Sequence, residues 1–261
     1  NTPADITASY NKTGQGKANK SAAQLLVLSI MAGMTIAFGG AVSNTAIHAI
    51  DNISYAKVVS GLIFPFGLCI ILLMGMELFT SNIMISISVM HRETGVLRML
   101  RNWFLVYIGN AIGSLAISAG IVYSEQLNYS SKSLAVYSMK LALVKINQPS
   151  SKLLVSGILC IYAAKETMAK LVGCYLPIAF FVIAGFEHCV ANMYYLSVSL
   201  FARLNPSYAA LAVEAGLDLS KLTVANALLG NLLPVTLGNI IGGLIVSLGM
   251  VYAHGNRELM F

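Results

Sequence analysis

GMELFTSN at residues 75–82 and GFEHCVAN at residues 185–192 decide how this chain is read. Each opens on a glycine, carries a glutamate two positions later and an asparagine at its eighth position, and interrupts a long apolar run. Gly75, Glu77 and Asn82 thus match Gly185, Glu187 and Asn192 at one constant offset. A second echo follows in the same order. VYIGNAIGSL at 106–115 and VTLGNIIGGL at 235–244 pair Gly109-Asn110 with Gly238-Asn239, and Gly113 with Gly242. Two echoes in one order point to an internal duplication.

The surroundings of these stretches are those of a membrane protein. Of 261 residues, 57% are hydrophobic and only 10% charged, with a mean hydropathy of +0.76. A helix needs roughly 20 apolar residues to cross the hydrocarbon layer, and six spans are expected near 22–47, 58–90, 103–123, 153–164, 171–202 and 222–252. The expected organisation is a polar amino-terminal segment (1–21), one all-α transmembrane domain (22–252) and a short tail (253–261). The amino-terminal segment shows no cleavable secretory signal. Repeats at about 22–123 and 153–252 hold three spans each. An odd number inverts the second repeat against the first, and folds of this symmetry place their solute site near the midplane, at broken helices.

The second and fifth spans are the ones interrupted. Breaking a helix frees N–H and C=O groups that lipid cannot satisfy, so a break survives only against protein or a water-lined cavity. Gly75 and Gly185 permit the turn; Glu77, Ser81 and Glu187 are expected to accept hydrogen bonds from freed N–H groups, acting as caps. Thr80 offers a hydroxyl from one loop, and His188 an imidazole from the other. Half-helices over roughly 83–90 and 189–202 would turn their amino ends toward the membrane centre, which favours an anion. Intramembrane ionisable residues are costly and mark pathways. His188 is the side chain there suited to proton exchange near neutral pH.

Other classes are weaker. Cys69, Cys160, Cys174 and Cys189 lie irregularly in apolar spans and suggest neither disulfides nor a metal site. The formal charge of +6 is spread over loops and ends, which fits anionic lipid or solute and not nucleic acid. Lys12, Lys17, Lys20, Arg92, Arg98, Arg101, Lys165, Lys170 and Arg257 fall on one side, and Lys132, Lys140, Lys145 and Lys152 on the other, a modest bias toward a cytoplasmic amino terminus. No hydrolase, phosphate-loop or metal-ligand motif suggests an enzyme, and no cofactor is implied. An aquaporin-like channel for small neutral solutes is the main alternative. It would need two Asn-Pro-Ala-like motifs, and only NPS at 205–207 comes near.

Taken together, GMELFTSN, GFEHCVANMY (185–194), NWFLVYIGN (102–110) and LPVTLGNIIGG (233–243) resemble the signatures of the formate/nitrite transporter family, over about residues 17–252. The resemblance implies a homopentamer of aquaporin-like, six-helix protomers in the inner membrane of a bacterium, each with its own pore for small monovalent anions of weak acids. It also implies that Thr80 and His188 are paired polar residues between hydrophobic constrictions formed by Phe64, Leu68, Leu78, Phe79 and Phe181, and that Lys145 attracts anions. Among formate, nitrite and hydrosulfide, the stretches 76–84 and 187–200 look closest to the family's hydrosulfide members. One departure stands out: SKLLVSGILCIYAAK reaches Lys165 after a short apolar run, as if residues were absent between Cys160 and Ile161.

Overall fold

The computed structural model describes residues 2–164 and 170–255, with side chains described outside 162–174. Among these the regular structure is entirely helical. The amino-terminal segment, expected only to be polar, forms α1 (Pro3–Ala18). Thr2 and Asp5 make a reciprocal capping box and Pro3 starts the first turn, a set of local signals strong enough to fold a polar sequence. This helix docks on the rest of the chain: Ser88 Oγ donates to the Asn11 carbonyl at 2.6 Å, and a Cβ on Gly14 would collide with Ser88.

Ser21 and Gln24 cap α2 (Ala22–Ile47). Asn52 caps α3 (Ile53–Ile63), which continues at Pro65 into α4 (Pro65–Leu73). After the first break come two short helices, α5 (Phe79–Asn82) and α6 (Ile85–Met90). The third span was expected from 103, but α7 (Val96–Tyr123) begins earlier. In its charged first turns Arg98 donates to the Asn19 side chain and Arg101 to the Lys20 carbonyl.

Between the halves lies α8 (Ser133–Ile146), followed by α9 (Ser150–Ala164). At 15 residues α9 is short, and it runs unbroken through Cys160 and Ile161. The expectations on Lys165, on the side chains of Lys170 and Cys174, and on Arg257 lie outside the described residues. Next are α10 (Lys170–Ala184) and α11 (Cys189–Arg203), which bend by 54° across the second break. The chain then forms α12 (Pro206–Glu214) and α13 (Val224–Ala227), and a π turn at Leu228–Leu232 leads into α14 (Leu233–His254).

By length and apolarity four helices can cross a membrane, or five counting the bent pair; Phe79–Met90 and Ser150–Ile161 are apolar but shorter. Large apolar side chains such as Val27, Phe38, Phe66, Phe104 and Leu248 remain exposed, an outer surface suited to lipid. Two tight pairs organise the interior, α2 with α7 and α9 with α14. Glycines set both approaches: a Cβ on Gly33 or Gly113 would strike backbone across α2 and α7, and one on Gly238 or Gly242 would strike α9. Small residues at crossings give such close contact in membranes.

Candidate functional site

Both breaks turn on a glycine in the left-handed region, Gly75 at φ +62° and Gly185 at φ +73°, where other residues are strained. The N–H groups released beyond each turn find matching acceptors. Phe79 N–H donates to Asn110 Oδ1 and Cys189 N–H to Asn239 Oδ1, both at 2.9 Å. The amide nitrogens work in parallel: Asn110 Nδ2 donates to the Ser29 and Glu77 carbonyls, Asn239 Nδ2 to the Gly157 and Glu187 carbonyls. The asparagines of the second echo therefore clamp the loops of the first.

This corrects the role expected of the glutamates. Among the described residues neither carboxylate accepts a backbone N–H; both bind lysine and asparagine side chains instead. Glu77 Oε2 receives Lys17 Nζ at 2.9 Å and Asn82 Nδ2 at 2.6 Å, with Lys20 Nζ 3.3 Å from Oε1. Glu187 receives Lys145 Nζ at 3.0 and 2.8 Å on its two oxygens and Asn192 Nδ2 at 2.6 Å. Asn82 and Asn192 each donate onward, to Asn102 and Asn231. Those two donate to the carbonyls of Lys17 and Lys145, closing both circuits. With only 1% and 3% of Glu77 and Glu187 exposed, the carboxylates require partners, because an unpaired buried charge costs several kcal/mol (roughly 3–5 when a partner is removed).

Thr80 and His188 meet. Thr80 Oγ1 lies 2.9 Å from His188 Nε2, while His188 Nδ1 accepts the Ala191 N–H at 3.2 Å and so caps α11. A nitrogen that accepts an N–H carries no proton, so the ring is the neutral Nε2–H tautomer and donates to the Thr80 oxygen. The Thr80 hydroxyl proton is then available to a third group. Phe181 stacks on the imidazole with centroids 5.9 Å apart and planes within 11°, and Phe64 meets Phe181 edge-on at 6.4 Å.

A cavity of about 630 Å³ runs from α1 to this pair. Tyr10, Lys17 and Lys20 line its entrance; Phe64, Leu68, Leu78, Ser81, Phe181, Thr80 and His188 line its deeper part. Phe79 is not among the lining residues and packs edge-on against Trp103 and Tyr107. Lys145 also lies elsewhere, at the Glu187 end of the second break. Burial pushes the Lys17 ammonium below the ordinary lysine range against the pull of Glu77, and burial pushes the Tyr10 phenol up to about 12.

Several members of the circuits escaped the sequence reading: Lys17 as a partner of Glu77, Asn102 and Asn231 as relays, and Ser156, whose Oγ accepts the Glu187 N–H at 3.0 Å. For the relays a signal existed. Asn102 precedes Asn110 by eight positions, as Asn231 precedes Asn239, so the second echo is longer than its glycines suggest.

Against known proteins, the model of a family described as formate/nitrite transporter matches residues 4–254. The chain is 32% identical to the formate channel FocA of Haemophilus influenzae over 94% of its own length and 91% of the relative's. It is 29% identical to the formate channel FocA of Escherichia coli strain K12, over 96% and 92%. Among solved structures, a pentameric formate channel with formate bound superposes with a TM-score of 0.77 at 28% identity, covering 89% of this chain and 96% of that one. An FNT family ion channel superposes at 0.80 with 25% identity, over 95% and 98%.

Proposed function

The chain belongs to the formate/nitrite transporter family, a family of membrane transporters and not of enzymes, and from that membership we propose that it conducts small monovalent anions of weak acids. Its functional unit in this reading is a homopentamer of aquaporin-like, six-helix protomers built from two inverted repeats, with the amino terminus in the cytoplasm of a bacterium. The pentameric relative supports the assembly, and the paired asparagine clamps support the repeats. Because the named relatives are formate channels, formate is the first substrate to test, ahead of the hydrosulfide that the loop sequences favoured.

The observation that carries this reading is the Thr80–His188 contact at the depth of a cavity bounded by Phe64, Leu68, Leu78 and Phe181. Carrying a bare charge across the bilayer centre is expensive, with figures from about 2.5 to 17 kcal/mol for side chains. A weak acid reduces that cost by crossing in its neutral form. Lys20, in excess of the Lys17–Glu77 ion pair, draws the anion to the entrance, and the Thr80 hydroxyl, polarised by the His188 N–H behind it, donates to the anion's oxygen or sulfur. Both imidazole nitrogens are already engaged, so the proton that neutralises the anion is taken up from the solution on the entry side and relayed through cavity water, and the ring holds the hydroxyl in place. The neutral acid then passes the Phe64–Phe181 pair, an apolar neck that resists hydrated cations.

Stopped-flow measurements on proteoliposomes test this. Gradients of formate, nitrite, hydrosulfide and glycerol are applied with a pH-sensitive dye inside, against protein-free vesicles. The expected result is protein-dependent entry of a weak acid with internal acidification, and no glycerol entry above background. Glycerol flux comparable to formate flux would favour the neutral-solute channel instead.

A further inference from the structure

Lys57 belongs to neither echo and to none of the residues that the sequence marked. It sits in the first turns of α3, yet its Nζ lies over the Gly185 turn of the other half, 3.0 Å from where a Cβ on Gly185 would stand. Among the described residues it makes no hydrogen bond or ion pair, and its ammonium is near enough to Lys145 and Glu187 for both charges to act on it.

The charges at the two ends of the site then balance in the same way. Beside Gly75, the Glu77 carboxylate faces two ammoniums, Lys17 and Lys20. Beside Gly185, the Glu187 carboxylate binds Lys145 through both oxygens, and Lys145 also lies 5.4 Å from the centre of the Tyr195 ring. That geometry spends the charge of Lys145 within the protein. It also leaves the buried Asn192 Oδ1 without a partner, whereas the corresponding Asn82 Oδ1 takes Lys17. Lys17 and Lys145 correspond through the duplication, since each receives the onward bond of its relay asparagine on its own carbonyl. Lys57 and Lys20 do not correspond in sequence, yet each adds one positive charge to a neutralised lysine–glutamate pair.

We propose that Lys57 is the anion-gathering residue at the Gly185 end of the pathway, supplying the uncompensated positive charge that Lys145 gives up to Glu187. The inference rests on the anion-channel reading and adds an anion-capturing residue to it. A net charge at a mouth raises the local concentration of the opposite ion and speeds capture, and dissolved salt screens the effect over about 8–10 Å. Lys57 therefore acts on entry, not on passage.

The test compares the full-length protein with Lys57→Gln and Lys57→Arg in proteoliposomes, following formate flux over a range of concentrations at low and high ionic strength. At low salt, Lys57→Gln is expected to raise the half-saturating concentration roughly three- to tenfold with the maximal rate unchanged; Lys57→Arg restores the wild-type value, and high salt erases the difference. A wild type that conducts beside a Lys57→Gln variant with the same half-saturation at low salt overturns the inference. So does a fall in maximal rate that is independent of salt, which would assign Lys57 a packing role at the Gly185 turn. A wild-type pentamer that passes no anion defeats the functional reading itself, an outcome visible before any variant is compared.

Discussion

The Tyr107 hydroxyl lies 3.0 Å from Thr236 Oγ1. Tyr107 stands three positions before Asn110 and Thr236 three before Asn239, so two residues at corresponding places in the sequence echo bond to each other. Each neighbouring asparagine then reaches from this seam into its own break. The seam and the clamps form one polar layer through an otherwise apolar molecule, and this layer holds Thr80 against His188.

Replacing either clamp is expected to cost similar stability. Asn110→Ala orphans the Phe79 N–H and takes a donor from the Ser29 and Glu77 carbonyls; Asn239→Ala orphans the Cys189 N–H and takes a donor from the Gly157 and Glu187 carbonyls. At about 1–3 kcal/mol for an unsatisfied buried group, each variant should melt well below wild type in detergent. A change of under about 0.5 kcal/mol in either would mean that its break is held by something else.

The two glycine turns should respond differently to one added methyl. Nothing lies within 4 Å of a Cβ on Gly75, so Gly75→Ala meets only backbone strain, about 1–2 kcal/mol. A Cβ on Gly185 would also press on Lys57 Nζ. Gly185→Ala should therefore show the strain together with altered formate half-saturation, while Gly75→Ala changes stability alone. Equal shifts in half-saturation would break this distinction.

Alkali should loosen α1 through Tyr10. Its folded pKa is raised from 10.0 to about 12 by burial, so the neutral phenol stabilises the docked helix below the unfolded pKa, and that contribution is lost as the pH climbs toward about 12. Lys17 works in the opposite sense: its lowered pKa makes docking easier as pH rises toward the ordinary lysine value. Hydrogen exchange over residues 3–18 should increase across the Tyr10 window in wild type and stay flatter in Tyr10→Phe. Parallel curves would remove Tyr10 from the contact.

How much of this was legible follows from distance along the chain. The breaks were readable because glycine, glutamate and asparagine repeat within eight residues. Asn110 and Asn239 were visible as an echo, but their task was not, since their partners lie 31 and 50 positions away. The glutamates were misassigned as caps for the same reason: nothing local reveals that Lys17, 60 residues earlier, reaches Glu77. The helix α1 shows no apolar periodicity in its sequence, because capping and not apolarity sets its limits. That Thr80 and His188 could meet across one pore was legible because they come from matching loops of the echo, and the family resemblance added their place between apolar constrictions; the direct bond between them was not legible.

Widening the neck should cost selectivity. Phe181→Ala removes the edge-on contact to Phe64 and the ring stacked on His188. Vesicles containing this variant should leak small hydrated cations that wild type excludes. Unchanged cation exclusion would place the barrier away from Phe64 and Phe181.

The most direct measurement is formate influx, with internal pH, through the Thr80→Val protein beside wild type. Valine keeps the shape and removes only the hydroxyl that His188 orients. The expected result is a fall of about tenfold or more, the consequence of about 1.4 kcal/mol lost at the barrier, with folding and assembly intact. A properly assembled Thr80→Val protein that passes formate and acidifies its vesicles at the wild-type rate would contradict the account.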